Sequence, residues 1–187
     1  MDNKKVLTVL LGSPRKGGNS EALAAALARG AEENGCEVRY VRLAELSIRG
    51  CLDCRKCWSY GVPCVQSDDM PKVYKDICDA DVIVFASPLY YYSWTSYIKA
   101  AWDRLLPFFM PNAPQSLKGK RVFLISAAGD TSENCFDGIR ASYRLSCAFC
   151  GWKSEGEICA GGLYAKTDAA KLGTKYINAA YNAGKGL

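Results

Sequence analysis

Short apolar runs punctuate the chain. VLTVLL at Val6–Leu11, VIVFAS at Val82–Ser87 and the segment Arg121–Ala127 read as strands, the first as one buried on both faces. Between them the apolar positions recur with helical spacing. Leu23, Leu27 and Ala31 share a face of a helix that Asn19 caps and that runs to about Asn34, with Gly35 as its stop. Asp68 or Asp69 caps a second helix from Pro71 to about Asp79. Tyr97, Ala101 and Leu105 mark a third over Ser93–Leu106, ended by Pro107 and Pro111. A fourth is expected from about Glu133 to Cys150, stopped by Gly151, and a fifth over Thr167–Ala183. Glu37–Leu43 fits a further strand and Glu155–Cys159 a weak last one, while residues 50–66 show no period and read as a loop insertion.

Strands alternating with helices imply an α/β fold with a parallel sheet. Five such units in 187 residues suit a single domain, residues 1–187. The expected architecture is a three-layer, doubly wound, five-stranded parallel sheet in the flavodoxin-like order 2-1-3-4-5. Ligands of such folds bind at the carboxyl edge where the strand order reverses. The loops after the first, third and fourth strands should therefore hold the chemistry.

Composition narrows the field. Apolar residues at 49% and charged residues at 23% describe a globule with a full core. No apolar run approaches the ~20 residues of a membrane span, and the six-residue run after Lys4 and Lys5 is too short for a secretory signal. A cytoplasmic protein with no membrane partner is expected. The net charge of +5 is spread along the chain without a basic cluster, so no nucleic-acid partner is expected either.

The first candidate loop is GSPRKGGNS, Gly12–Ser20. Glycines let the backbone approach an anion, and free amides at a helix N-terminus point toward it. Ser13, Asn19 and Ser20 add side-chain donors and Arg15 adds a fixed charge, which together describe a phosphate cradle. It lacks the Gly-Lys-Ser/Thr of a triphosphate loop and is not GxGxxG. The second loop, SPLYYYSWTS at Ser87–Ser96, offers three tyrosines for a flat heterocycle or a partner subunit. The third, SAAGDTSEN at Ser126–Asn134, is small enough around Gly129 for backbone amides to reach a ring edge. A phosphate at one loop and a flat ring at the other two describe a mononucleotide of the flavin type.

GSPRKGGNS followed by SPLYYYSWTSYIKAAWDRL resembles the NAD(P)H-dependent FMN reductase-like flavoproteins, from Val6 to about Ala128. The resemblance implies FMN with its phosphate at Ser13, Arg15, Asn19 and Ser20, and its ring along Pro88, Leu89, Tyr90 and Tyr91 with Ala128 and Gly129 at the other edge. It implies NAD(P)H as co-substrate and a homodimer or higher homo-oligomer, built in part by the helix ending in Asp103-Arg104. CLDCRKCWSYGVPCVQSDDM resembles the iron–sulfur flavoprotein branch.

Ten cysteines stand against no histidine. The residues of Cys51, Cys54, Cys57 and Cys64 leave four readings open. A [4Fe–4S] centre leads, because C-x2-C-x2-C is a familiar way to supply three of its ligands and Gly61 and Pro63 can bend the chain to deliver the fourth. A free-thiol loop follows, then zinc, then a disulfide, which a reducing compartment disfavours. Cys147/Cys150 has the same spacing, but helical core packing explains it. Cys36, Cys78, Cys135 and Cys159 read as packing residues.

The expected activity is an FMN-dependent oxidoreductase. It would pass electrons from NAD(P)H or a reduced ferredoxin to a small acceptor such as a flavin or quinone, through a cluster where one is bound. Flavin carries this chemistry, so no dedicated catalytic side chain is expected. The alternative is an electron-transfer protein of the flavodoxin or iron–sulfur type, without its own NAD(P)H turnover.

Overall fold

The computed structural model describes residues 4–132 and 134–187. Its sheet is all parallel, in the order β2-β1-β3-β4-β5. The strands are β1 (Val6–Leu11), β2 (Glu37–Arg42), β3 (Val82–Pro88), β4 (Arg121–Ala127) and β5 (Lys153–Ala160). The three central strands are buried nearly end to end, which is why their sequences are apolar runs and not alternations.

Alternate residues of these strands feed two cores. Leu7, Val9, Leu11, Val84 and Ile125 pack with α1 (Asn19–Glu33) and the C-terminal helices on one face. Leu10, Ile83, Phe85 and Leu124 pack with α2 (Met70–Asp79), α3 (Ser96–Asp103) and α4 (Asp137–Cys150) on the other. The C-terminal segment forms two helices, α5 (Asp168–Lys171) and α6 (Thr174–Lys185), parted at Gly173. A Cβ on Gly173 would lie 2.7 Å from the Ala169 carbonyl oxygen, so the turn between them closes only around glycine.

Three boundaries differ from the sequence reading for identifiable reasons. Gly18, not Asn19, holds the N-cap position of α1, because the Asn19 side chain is engaged elsewhere. Helix α3 starts at Ser96 rather than Ser93, with Thr95 accepting the Ile98 amide as its cap. The preceding residues are held in a two-residue turn: Tyr90 and Ser93 exchange backbone hydrogen bonds of 3.1 and 3.0 Å, and Tyr91 and Tyr92 take φ of 47° and 62°. Positive φ at both central positions is the requirement of a type I′ turn, usually met by Asn-Gly. Strand β5 runs over Lys153–Ala160, longer than the expected Glu155–Cys159, and Glu155 is an extra residue opposite the Val122/Phe123 step of its neighbour. Glu133, the expected start of the fourth helix, lies outside the described residues. Among the described residues no helix is long and apolar enough to cross a membrane.

Candidate functional site

A cavity of about 410 Å³ opens at the carboxyl edge of the sheet. Its lining includes Ser13, Arg15, Asn19 and Ser20 from the loop after β1, Pro88, Leu89 and Tyr90 after β3, and Ala128 and Gly129 after β4. Tyr91, expected beside them, does not line it and is 98% exposed at the turn tip.

The first loop is built around its own hydrogen bonds. Ser13 Oγ accepts the Arg15 amide at 3.1 Å and lies 3.3 Å from the Arg15 carbonyl. The Gly17 amide donates to Glu21 Oε2 at 2.8 Å, with Gly17 at φ 65°. A Cβ on Gly12 would lie 2.3 Å from Ile98 Cγ1, so only glycine lets this loop leave the sheet against α3. No side chain caps the amides of the first turn of α1, and these face the cavity at the positive end of the helix dipole. Thr95 joins two of the loops: its Oγ1 donates to the Gly12 carbonyl at 2.8 Å, and its amide donates to Ser87 Oγ at 3.2 Å.

Glu21 places a carboxylate near this anion cradle, and Arg42 neutralises it through paired hydrogen bonds of 2.6 and 2.9 Å. That pairing, opposed by burial and aided by the Gly17 amide, holds the Glu21 carboxyl below the usual range. Lys166 acts in the same direction from across the cavity.

Asn19, expected at the phosphate, lines the cavity, and its side chain also bonds the loop after β5. Its Nδ2 donates to the carbonyls of Leu163 (3.0 Å) and Ala165 (2.8 Å), and its Oδ1 accepts the Ala169 amide at 2.9 Å. It thereby holds the loop after β5 over the cavity, bringing Tyr164 and Lys166 to its wall. Tyr164 is 87% exposed and packs on Gly129, where a Cβ would lie 2.8 Å from its ring. The Ala128 amide donates to the Ala160 carbonyl at 2.9 Å, and Ala128 itself lines the cavity. Sequence reasoning missed this fourth wall. Its one signal was the run GGLYAK after the last strand.

The cysteine loop lies outside this cavity. Cys51 and Cys54 are exposed, and Cys57 and Cys64 are half-buried. Burial pushes the Cys57 thiol up, and the nearby sulfurs of Cys64, Cys51 and Cys54 add to the shift, so the four sulfurs share one neighbourhood. Among the described residues no three Cys, His, Asp or Glu side chains converge on a point that would hold a single metal ion. A cluster is wider than an ion, and the donor set suits one. Asp53, Arg55, Trp58, Tyr60 and Gly61 take φ of 46°, 57°, 60°, 55° and 74°. Left-handed residues of this kind can turn successive amides into the anion-binding concavities found at many iron–sulfur sites. One such amide is in place: Asp53 N–H donates to Cys51 Sγ at 3.4 Å. The loop is pinned to the core by Trp58, whose ring packs edge-on to Phe108 at 5.8 Å.

Beneath it lies an ion pair that sequence reasoning also missed. Arg104 and Asp68 have side chains only 1% and 2% exposed and are hydrogen-bonded to each other. Asp68 also accepts the amides of Arg49 (3.0 Å) and Met70 (3.1 Å). Burial opposes the charge on Arg104, but the Asp68 hydrogen bond and the proximity of Cys64 hold its pKa above the ordinary guanidinium range. Its Nε and Nη2 are buried without an acceptor. Leaving such donors unpaired costs about 1–3 kcal/mol. The remaining thiols carry no such setting: Cys147 and Cys150 are buried on α4, and burial raises Cys150 to about 11 and Cys159 likewise to about 11.

The family model described as NADPH-dependent FMN reductase matches residues 5–149. An iron–sulfur flavoprotein of Archaeoglobus fulgidus is 37% identical over 111 residues, 59% of this chain and 49% of that protein. An iron–sulfur flavoprotein of Methanosarcina thermophila is 35% identical over 123 residues, 66% of this chain and 63% of that protein. The chain thus spans about half to just under two thirds of the length of these relatives. An NAD(P)H:quinone oxidoreductase from Methanothermobacter marburgensis shares the fold, with a TM-score of 0.72 at 18% identity over 97% of this chain and 95% of that one.

Proposed function

From the premise that this chain belongs to the NADPH-dependent FMN reductase family, we propose that it is an FMN-dependent oxidoreductase. It takes electrons from NAD(P)H or a reduced ferredoxin and delivers them to a small flat acceptor. Bound FMN supplies two-electron chemistry, with the protein providing grip, orientation and field. Cys51, Cys54, Cys57 and Cys64 would hold a [4Fe–4S] centre, which would supply one-electron transfer.

The observation that carries this reading is the meeting of an anion cradle and flat walls in one cavity. Ser13, Arg15, Ser20 and the first-turn amides of α1 receive the phosphate, and Lys166 adds a second cation. Pro88, Leu89 and Tyr90 form one wall for the ring and Gly129 with Tyr164 another. Asn19 acts through the loop it holds. Tyr91 and Tyr92, exposed at the turn tip, are placed to meet an acceptor or a second copy of the chain.

Anaerobic titration of flavin-free protein tests the reading. FMN should bind with quenched fluorescence, and riboflavin at least about tenfold more weakly, since hydrogen bonds to charged groups are worth about 1.5–3 kcal/mol. Arg15→Ala should narrow that difference. Equal affinity for both flavins in the wild type would overturn the phosphate assignment. Steady-state oxidation of NADPH with free flavin or a quinone then tests the enzyme. Absence of turnover with either pyridine nucleotide would leave an electron carrier in its place.

A further inference from the structure

Arg104 has more donors than its surroundings use. Nη1 is committed to Asp68 and to the Arg49 carbonyl at 3.2 Å. Asp68 meets Arg104 through Nη1 alone, its remaining bonds going to two backbone amides, and takes nothing from Nε or Nη2. Those two nitrogens are enclosed and unpartnered, and Cys64 packs against the same core as Leu105 and as Tyr74, whose hydroxyl donates to the Arg104 carbonyl at 2.7 Å. The guanidinium is buried and held by Asp68 and the Arg49 carbonyl.

We infer that Arg104 positions Cys64 and sets the reduction potential of the iron–sulfur centre, its Nε and Nη2 donating to the Cys64 ligand sulfur. The inference rests on the cluster reading above. A four-thiolate cluster is an anion that becomes more negative by one charge on reduction. Hydrogen bonds to ligand sulfur and a fixed positive charge favour the reduced form, and so raise the potential. Asp68 offsets part of that charge while aiming it. The two residues therefore pull the potential in opposite directions. Two partners in a merely structural pair would instead share one phenotype.

The test is a redox titration, followed by electron paramagnetic resonance, of protein reconstituted anaerobically with iron and sulfide. Arg104→Met should shift the midpoint to more negative values. Arg104→Lys, which keeps the charge and much of the packing, should shift it less. Asp68→Asn should shift it the other way. Iron content and near-ultraviolet circular dichroism of each variant report folding, and Arg104→Lys and Asp68→Asn carry the comparison should Arg104→Met fail to fold. Iron-loaded variants whose midpoints match the wild type, or move together in one direction, overturn the inference and leave the cluster standing. A wild type that retains no iron and sulfide overturns the cluster reading and this inference with it.

Discussion

At the first turn of α1, Glu21 carries a charge that would repel the phosphate proposed for the loop after β1, and Arg42 removes that difficulty. The pair is partly buried, and the Glu21 pKa is depressed chiefly by the Arg42 hydrogen bond. The sign follows from the depression. The contribution is fully present above the unfolded value of about 4.3 and is lost as the pH falls through the lower folded value. Glu21→Gln should therefore lower the unfolding free energy by about 1–2 kcal/mol at neutral pH. In urea denaturation series the gap to wild type should close progressively below about pH 4; a gap that is constant with pH would contradict the ionic account. The cradle itself was legible in the sequence, because strand end, glycines, donors and helix start are contiguous. The Asn19 contacts with residues 163–169 and the Asp68–Arg104 pair were not. Those contacts join residues far apart in the chain, and neither polar side chain bears a periodic mark of being buried.

Elements meet here through features that look like faults when read locally. Gly30 in the last turn of α1 weakens that helix by up to about 1 kcal/mol relative to Ala. Across from it, a Cβ on Gly184 of α6 would lie 1.9 Å from the Leu27 carbonyl oxygen, and one on Gly30 would lie 2.1 Å from that of Tyr181. The glycines set the spacing of the two helices. Gly184→Ala should cost about 1–3 kcal/mol or more by thermal or denaturant unfolding, since the backbones must part. The Tyr91–Tyr92 turn is the second such feature. Left-handed tyrosines cost about 1–3 kcal/mol each, and such strain gathers at functional sites. Replacing them with Asn-Gly should raise stability by a comparable amount, while a role in meeting acceptors predicts slower turnover with quinones. A stabilised variant with undiminished turnover would assign the tyrosines to another task. The buried strands and their order were readable from apolar runs and unit count. The turn was not, because three consecutive tyrosines followed by Ser-Trp fit a helix start as well as a strained hairpin.

At the scale of the whole molecule, the cavity and the cysteine loop, each proposed to hold a cofactor, are separable. The sheet and its two cores account for the fold, and residues 50–66 join them mainly through Trp58 and Cys64 packed at the margin of one core. None of the four loop cysteines lines the cavity at the carboxyl edge of the sheet. In a zinc finger, metal binding is the folding energy and the apo form is unfolded. Here the core is complete without the metal, so iron removal should act locally. Protein stripped with a chelator under anaerobic conditions should keep its far-ultraviolet circular dichroism and a cooperative melt within a few degrees of the loaded form, on the order of 1 kcal/mol for a domain of this size. It should also still bind FMN with affinity changed by less than about tenfold, or 1.4 kcal/mol. Collapse of the melt on iron removal would show that the loop organises α2 and α3 through Asp68 and Arg104, and that the unpaired guanidinium donors destabilise the core once the sulfur ligands are released. Retention of the melt with loss of FMN binding would instead place energetic coupling between the loop and the carboxyl edge of the sheet. Trp58 meets Phe108, and from the next residue, Phe109, a run of packed rings passes through Trp152 and Trp102 to Trp94, a route by which such coupling would travel.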